Sequence, residues 1–110
     1  MSGQKTISTT FITQPPYVPP PPTPDYIISG NGNPSPNGNY FDAGSYGGKR
    51  YYQKSTADYF LWWESFLLKW TISPTLGGSP ISFWERQNAD PGGIYNSVGA
   101  FSGNPTATEG

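Results

Sequence analysis

Cysteine and histidine are both absent from the 110 residues. Without cysteine there is neither a disulfide framework nor a thiolate metal site. Without histidine the chain lacks the usual proton shuttle near neutral pH and the commonest metal ligand. Charge is scarce too: six Lys+Arg against seven Asp+Glu leave a net charge of −1, which removes the basic footprint of an electrostatic nucleic-acid binder. Long hydrophobic runs are missing. The longest, Tyr59 to Trp63, is far too short to cross a bilayer, and Met1–Gln14 lacks the basic start and apolar core of a secretion signal. Together with the lack of a glycine-rich nucleotide loop, these absences predict a soluble non-enzyme. It is expected to have no cofactor, no nucleic-acid partner and no membrane insertion, and to reach any extracellular site without a signal of its own.

Proline and aromatic residues are abundant instead, and they are segregated. Seven of the ten residues from Pro15 to Pro24 are proline. Proline has no amide donor and a fixed φ, so this stretch can form neither helix nor central strand. It is expected to be an extended polyproline II rod with its carbonyls left open. After it comes a stretch rich in Tyr, Trp, Gly and Asn, whose aromatic content, 16% of the chain, demands burial. The expected organisation is an arm over 1–24, a β domain over 25–103 and a polar tail over 104–110. A strand is expected at 5–13 within the arm, where Ile7, Phe11 and Ile12 are the apolar residues available to dock on a neighbour.

Turn signals recur every 8–12 residues through the domain, the punctuation of a small antiparallel sandwich or half-barrel. Tyr26–Ser29 reads as a strand, Gly30–Asn39 as a turn region with Asn-Gly pairs, and Tyr40–Ser45 as extended chain. Tyr46-Gly47-Gly48-Lys49 is a tight turn and Arg50–Lys54 the return strand. Asp58–Trp70 contains neither Gly nor Pro, which permits a helix, but its aromatic residues fit a pleated surface better. Strand–loop–strand is favoured over the helix, with Phe66-Leu67-Leu68 as an apolar loop tip that wants a partner. Ile81–Arg86 and Ile94–Val98 complete the set.

Asn37-Gly38-Asn39-Tyr40, Gly44-Ser45-Tyr46-Gly47-Gly48-Lys49-Arg50-Tyr51-Tyr52, Tyr59-Phe60-Leu61-Trp62-Trp63-Glu64, Trp70-Thr71-Ile72-Ser73 and Leu76-Gly77 occur in that order. The series resembles a small aromatic-rich β module that recurs in bacteriophage virion proteins, tail-fibre-like chains and large secreted bacterial proteins, often in tandem. The resemblance covers about 25–103 and implies a structural or adhesive role. This chain departs from the tandem pattern with a single copy, a proline-rich arm and the insertion Phe66–Leu68.

Scarce aliphatic residues put Trp63, Trp70, Phe83 and Trp84 in the expected core. Trp62 faces the opposite way on the same strand and is the candidate for an open ligand contact, since flat aromatic faces suit sugar rings. Among the carboxylates, Glu64 and Glu85 are the pair with a chance of proximity. Solvated charge, or an ion pair with Lys69 or Arg86, is expected for them rather than glycosidase chemistry. The expected function is structural assembly, as a phage capsid decoration or accessory virion subunit. It docks on copies of itself and on other particle proteins through Ile7, Phe11, Ile12, Pro19, Pro20, Pro21, Pro22, Phe66, Leu67 and Leu68, and its expected location is the virion. The alternatives are a glycan-binding adhesion module using Trp62, or a filament subunit assembled by strand exchange.

Overall fold

The computed structural model describes residues 15–110. The expected strand at 5–13, with Ile7, Phe11 and Ile12, lies outside the described residues. Nine strands follow one another: β1 (Tyr26–Ser29), β2 (Gly38–Tyr46), β3 (Lys49–Lys54), β4 (Phe60–Glu64), β5 (Lys69–Ser73), β6 (Phe83–Arg86), β7 (Gly93–Ile94), β8 (Asn96–Val98) and β9 (Thr106–Glu109). Every pairing is antiparallel, and no helix occurs among the described residues. The described residues are all-β, as the turn spacing predicts, and Asp58–Trp70 is strand, loop and strand. Trp63 stands opposite Trp70 and Trp62 opposite Thr71 across β4 and β5.

The strands form one sheet in the order β7-β9-β1-β2-β3-β4-β5-β6-β8. The two outermost members, β7 and β8, are separated in the chain by Tyr95 alone. A sheet whose opposite margins belong to one short segment must curl until they meet, so this one wraps into a nearly closed barrel. Tyr95 is the clasp. Its side chain is fully buried, its N–H donates to the Pro105 carbonyl at 2.9 Å, and its hydroxyl donates to the Pro91 carbonyl at 2.6 Å. Asn104 Nδ2 donates to its carbonyl at 3.1 Å. Counting 93–98 as one bent stave, nine strands make eight staves.

Alternation along the staves turns Tyr26, Ile28, Tyr40, Leu61, Trp70, Ile72, Trp84 and Ala107 inward around Tyr95. Aromatic rings do most of the filling, and their polar tips find acceptors as burial requires. The Tyr40 hydroxyl donates to the Pro36 carbonyl at 2.6 Å. Trp70 Nε1 donates to the Ala89 carbonyl and Trp84 Nε1 to the Ser102 carbonyl, both at 3.1 Å.

Trp70 and Trp84 occupy the core as expected, but Trp63 and Phe83 are only half-buried. The strand expected from Ile81 begins at Phe83, and Ile81 itself stands exposed in the preceding loop. The expected strand Ile94–Val98 is broken at Tyr95, where the chain passes from one margin of the sheet to the other. Residues 104–110 are not a free polar tail: β9 runs beside β1 from Tyr26↔Glu109 to Ser29↔Thr106, and the Gly110 N–H donates to the Asp25 carbonyl at 3.1 Å. The proline-rich segment carries no regular ladder from 15 to 24 and is exposed through Thr23.

Candidate functional site

Thr71 and Ser73 alternate with Trp70 and Ile72 on β5, so the first pair points out of the barrel while the second points in. Trp62 points out as well, beside Thr71. An outer face normally meets water, yet Trp62 is 1% exposed and Thr71 and Ser73 are equally covered. The cover comes from two places. Tyr46, at the tip of the β2–β3 hairpin, packs edge-on against the Trp62 ring with centroids 5.6 Å apart at 90°. The loop 74–82 folds over Ser73, which accepts a hydrogen bond from Trp62 Nε1 at 2.8 Å and donates one to the Thr75 carbonyl at 2.6 Å. Gly77 makes the closure fit: its φ is +76°, and a Cβ there would collide with the Tyr46 hydroxyl. Trp62 therefore faces away from Trp63 as the sequence predicts, but forms no open shelf. It is the centre of a second, smaller core outside the barrel.

Beside this outer core runs a groove of about 140 Å³, lined among others by Trp62, Glu64, Leu67, Thr71, Pro80 and Phe83. Its charges are spent on one another: Lys69 Nζ lies 2.9 Å from Glu85 Oε1 and 4.3 Å from the centre of the Phe83 ring, with the lysine stem buried along the wall. The ion pair expected for Glu85 is thus present, with Lys69. One polar atom is left over. Thr71 Oγ1 is buried and finds no hydrogen-bond partner among the described residues, a state that costs about 1–3 kcal/mol for a hydroxyl.

The rim of the groove continues into the loop between β4 and β5. Phe66, Leu67 and Leu68 are 88%, 54% and 64% exposed. The Glu64 carboxylate accepts from the Phe66 N–H at 2.9 Å and from the Leu67 N–H at 3.0 Å, which fixes the turn from within. Leu68 takes the left-handed conformation that closes it, φ +56°. Glu64 is therefore a loop cap and Glu85 an ion-pair partner. Leu67 belongs to both the tip and the groove wall.

Of the remaining expected contact residues, those that are described lie apart from this site. Pro19, Pro20, Pro21 and Pro22 are exposed in the segment leading to β1, with Tyr17 82% and Val18 79% exposed beside them. Ile7, Phe11 and Ile12 lie outside the described residues. Sequence reasoning missed Thr71 and Pro80. The signal for Thr71 was present in the polar–apolar alternation of Trp70-Thr71-Ile72-Ser73, whereas Pro80 belongs to a loop whose position depends on the Tyr46 contact. Comparison of the chain with protein-family models, with curated proteins and with solved structures yields no match.

Proposed function

We propose that the chain is a structural assembly module: a small barrel that joins copies of itself and neighbouring proteins through the tip 66–68 and the proline-rich arm. The resemblance of its aromatic motifs to virion modules extends the proposal to a setting, the surface of a phage-like particle, as a capsid decoration or accessory subunit. The observation that carries the reading is the tip. Three apolar side chains face water there although Glu64 holds their backbone in one conformation. Such a preorganised apolar tip loses little entropy on docking, and each large side chain gains about 1.5–3 kcal/mol when fully covered. The glycan alternative has lost its support, because Tyr46 and the loop 74–82 cover the Trp62 ring. Strand exchange needs an open edge; every stave has a neighbour on each side, but β2 meets β1 only over Gly38–Tyr40 and runs on to Tyr46 along β3 alone, so that stretch is the edge this alternative would have to use.

Sedimentation of the full chain across a concentration series tests the proposal, with Phe66→Asp as the variant. Phe66 is 88% exposed, so the substitution leaves the barrel folded. The expected result is reversible self-association that the variant loses at an unchanged unfolding midpoint. A chain that stays monomeric at every concentration while binding a glycan array would overturn it.

A further inference from the structure

We propose that Asn31 is a site of spontaneous deamidation, converted through a succinimide with Gly32, while the other Asn-Gly pair, Asn37-Gly38, is held unreactive by the fold. The inference is independent of the assembly reading. Both pairs lie in the connection from β1 to the first residue of β2. Glycine follows each asparagine, so no side chain shields the attacking nitrogen. The chemistry is the same for either pair. The glycine N–H gives its proton to hydroxide, and the nitrogen bonds to the asparagine Cγ, pushing an electron pair onto Oδ1. That pair returns as Nδ2 leaves as ammonia with a proton taken from water, which restores the hydroxide. Water then opens the ring. Breaking the bond from the ring nitrogen to Cγ gives aspartate, and breaking its bond to the main-chain carbonyl carbon gives isoaspartate.

The surroundings separate the two pairs. Asn31 is exposed and outside any strand, and the Gly32 N–H makes no backbone hydrogen bond among the described residues. The Asn104 N–H donates to Asn31 Oδ1 at 2.9 Å. A donor thus sits on the oxygen that takes up negative charge as Gly32 attacks, the arrangement of an oxyanion hole. Asn37 is built the other way. Its Oδ1 is buried with no donor among the described residues, so charge there would go uncompensated. Its Nδ2 is tied to the Gly30 carbonyl at 2.9 Å, and Gly38 is paired opposite Ile28, so closing the ring there means leaving the ladder. Packing also keeps the reactive pair in place, because a Cβ at Gly32 would stand 2.8 Å from Pro36 Cδ. The two products differ in their effect on the barrel. Aspartate keeps an acceptor for the Asn104 N–H. Isoaspartate adds an atom to the main chain beside the Asn33↔Ser102 bridge, whose two hydrogen bonds are both 2.9 Å. It does so where Gly103 packs so closely on the Asn31 carbonyl that a Cβ would collide with it. Isoaspartate therefore loosens the seam that also holds the acceptor of Trp84 Nε1.

The test holds the full chain in mildly alkaline buffer, once folded and once in denaturant. Peptide mass mapping with an isoaspartate assay follows each pair over time. Relative to its own rate in denaturant, Asn37 should be slowed by folding about ten-fold more than Asn31, the rate equivalent of one ladder hydrogen bond. Fresh Asn31→Asp protein should match the unfolding midpoint of fresh wild type, whereas aged wild type should fall below it in step with its isoaspartate content. Equal slowing of the two asparagines, or protection of Asn31 in the folded chain, overturns the inference. An aged chain that carries isoaspartate at position 31 with its midpoint intact overturns the loosening of the seam.

Discussion

Trp62 and Trp63 follow one another on β4, so their indoles point to opposite sides of the sheet. That much is legible in the sequence. What buries Trp62 is not, because its cover, Tyr46 and the loop around Gly77, comes from two separate parts of the chain that meet only once β2, β3, β4 and β5 are in register. The cover hinges on Gly77. An alanine there meets both an unfavourable φ and the Tyr46 hydroxyl, so Gly77→Ala should destabilise the domain by about 1–3 kcal/mol. Tyr46 would be displaced, and quenching of tryptophan fluorescence by acrylamide should rise. Thr71 makes the opposite case. Its hydroxyl has no partner among the described residues, and valine has nearly the same shape without that burden, so Thr71→Val should leave stability unchanged or raise it by about 1 kcal/mol. Denaturant titration of both variants reads the contrast directly.

At the scale of elements, the hairpin β4–tip–β5 is well signposted, since Gly and Pro are absent from 58–70 and its aromatic residues suit a pleated surface. The strand β9 is not. Thr106, Ala107, Thr108 and Glu109 contain no large apolar residue, and a reader of hydropathy sees a polar end to the chain. The reason is steric. Ala107 is the residue β9 turns inward, opposite Ile28, and the space there is already filled by Tyr26, Ile28 and Tyr95. A small residue is what fits, and small residues carry little hydrophobic signal. The tip itself depends on Glu64. Replacing Glu64 by alanine removes two hydrogen bonds from backbone N–H groups to a carboxylate, which should cost about 1–2 kcal/mol on this exposed turn. It should also speed hydrogen exchange at the Phe66 and Leu67 amides. Glu64→Gln keeps one acceptor and should fall between.

For the whole molecule, the absence of histidine and cysteine means that no side chain titrates between the carboxylates and the tyrosines. Stability should therefore be flat across neutral pH and fall at the alkaline end. Burial pushes the Tyr26 phenol from 10.0 up to about 12, and raises those of Tyr40 and Tyr95 further. A raised phenol means that the folded barrel holds its proton when the unfolded chain has already released it. The stabilisation is complete below about pH 10 and is lost as pH climbs through the folded values, because unfolding then sheds protons. Thermal midpoints should stay level to about pH 9 and then drop, with tyrosinate absorbance appearing together with loss of structure; tyrosinate forming gradually in a still-folded barrel would show these phenols to be accessible. The all-β antiparallel class was readable from turn spacing, which left sandwich and half-barrel open; closure was not readable, since it rests on a bend at Tyr95 inside what reads as a single strand. Closure has a consequence for synthesis. The chain leaves the ribosome from its N-terminus, and β1 acquires its neighbour on one side only when β9 has emerged, with the clasp at Tyr95 receiving its Pro105 and Asn104 partners just before. Until then the nascent domain is an open sheet with an unpaired margin, and contacts of such long sequence separation form slowly. Pausing of translation between Val98 and Thr106 should therefore prolong the one interval in which copies of this chain are most prone to pair wrongly with one another.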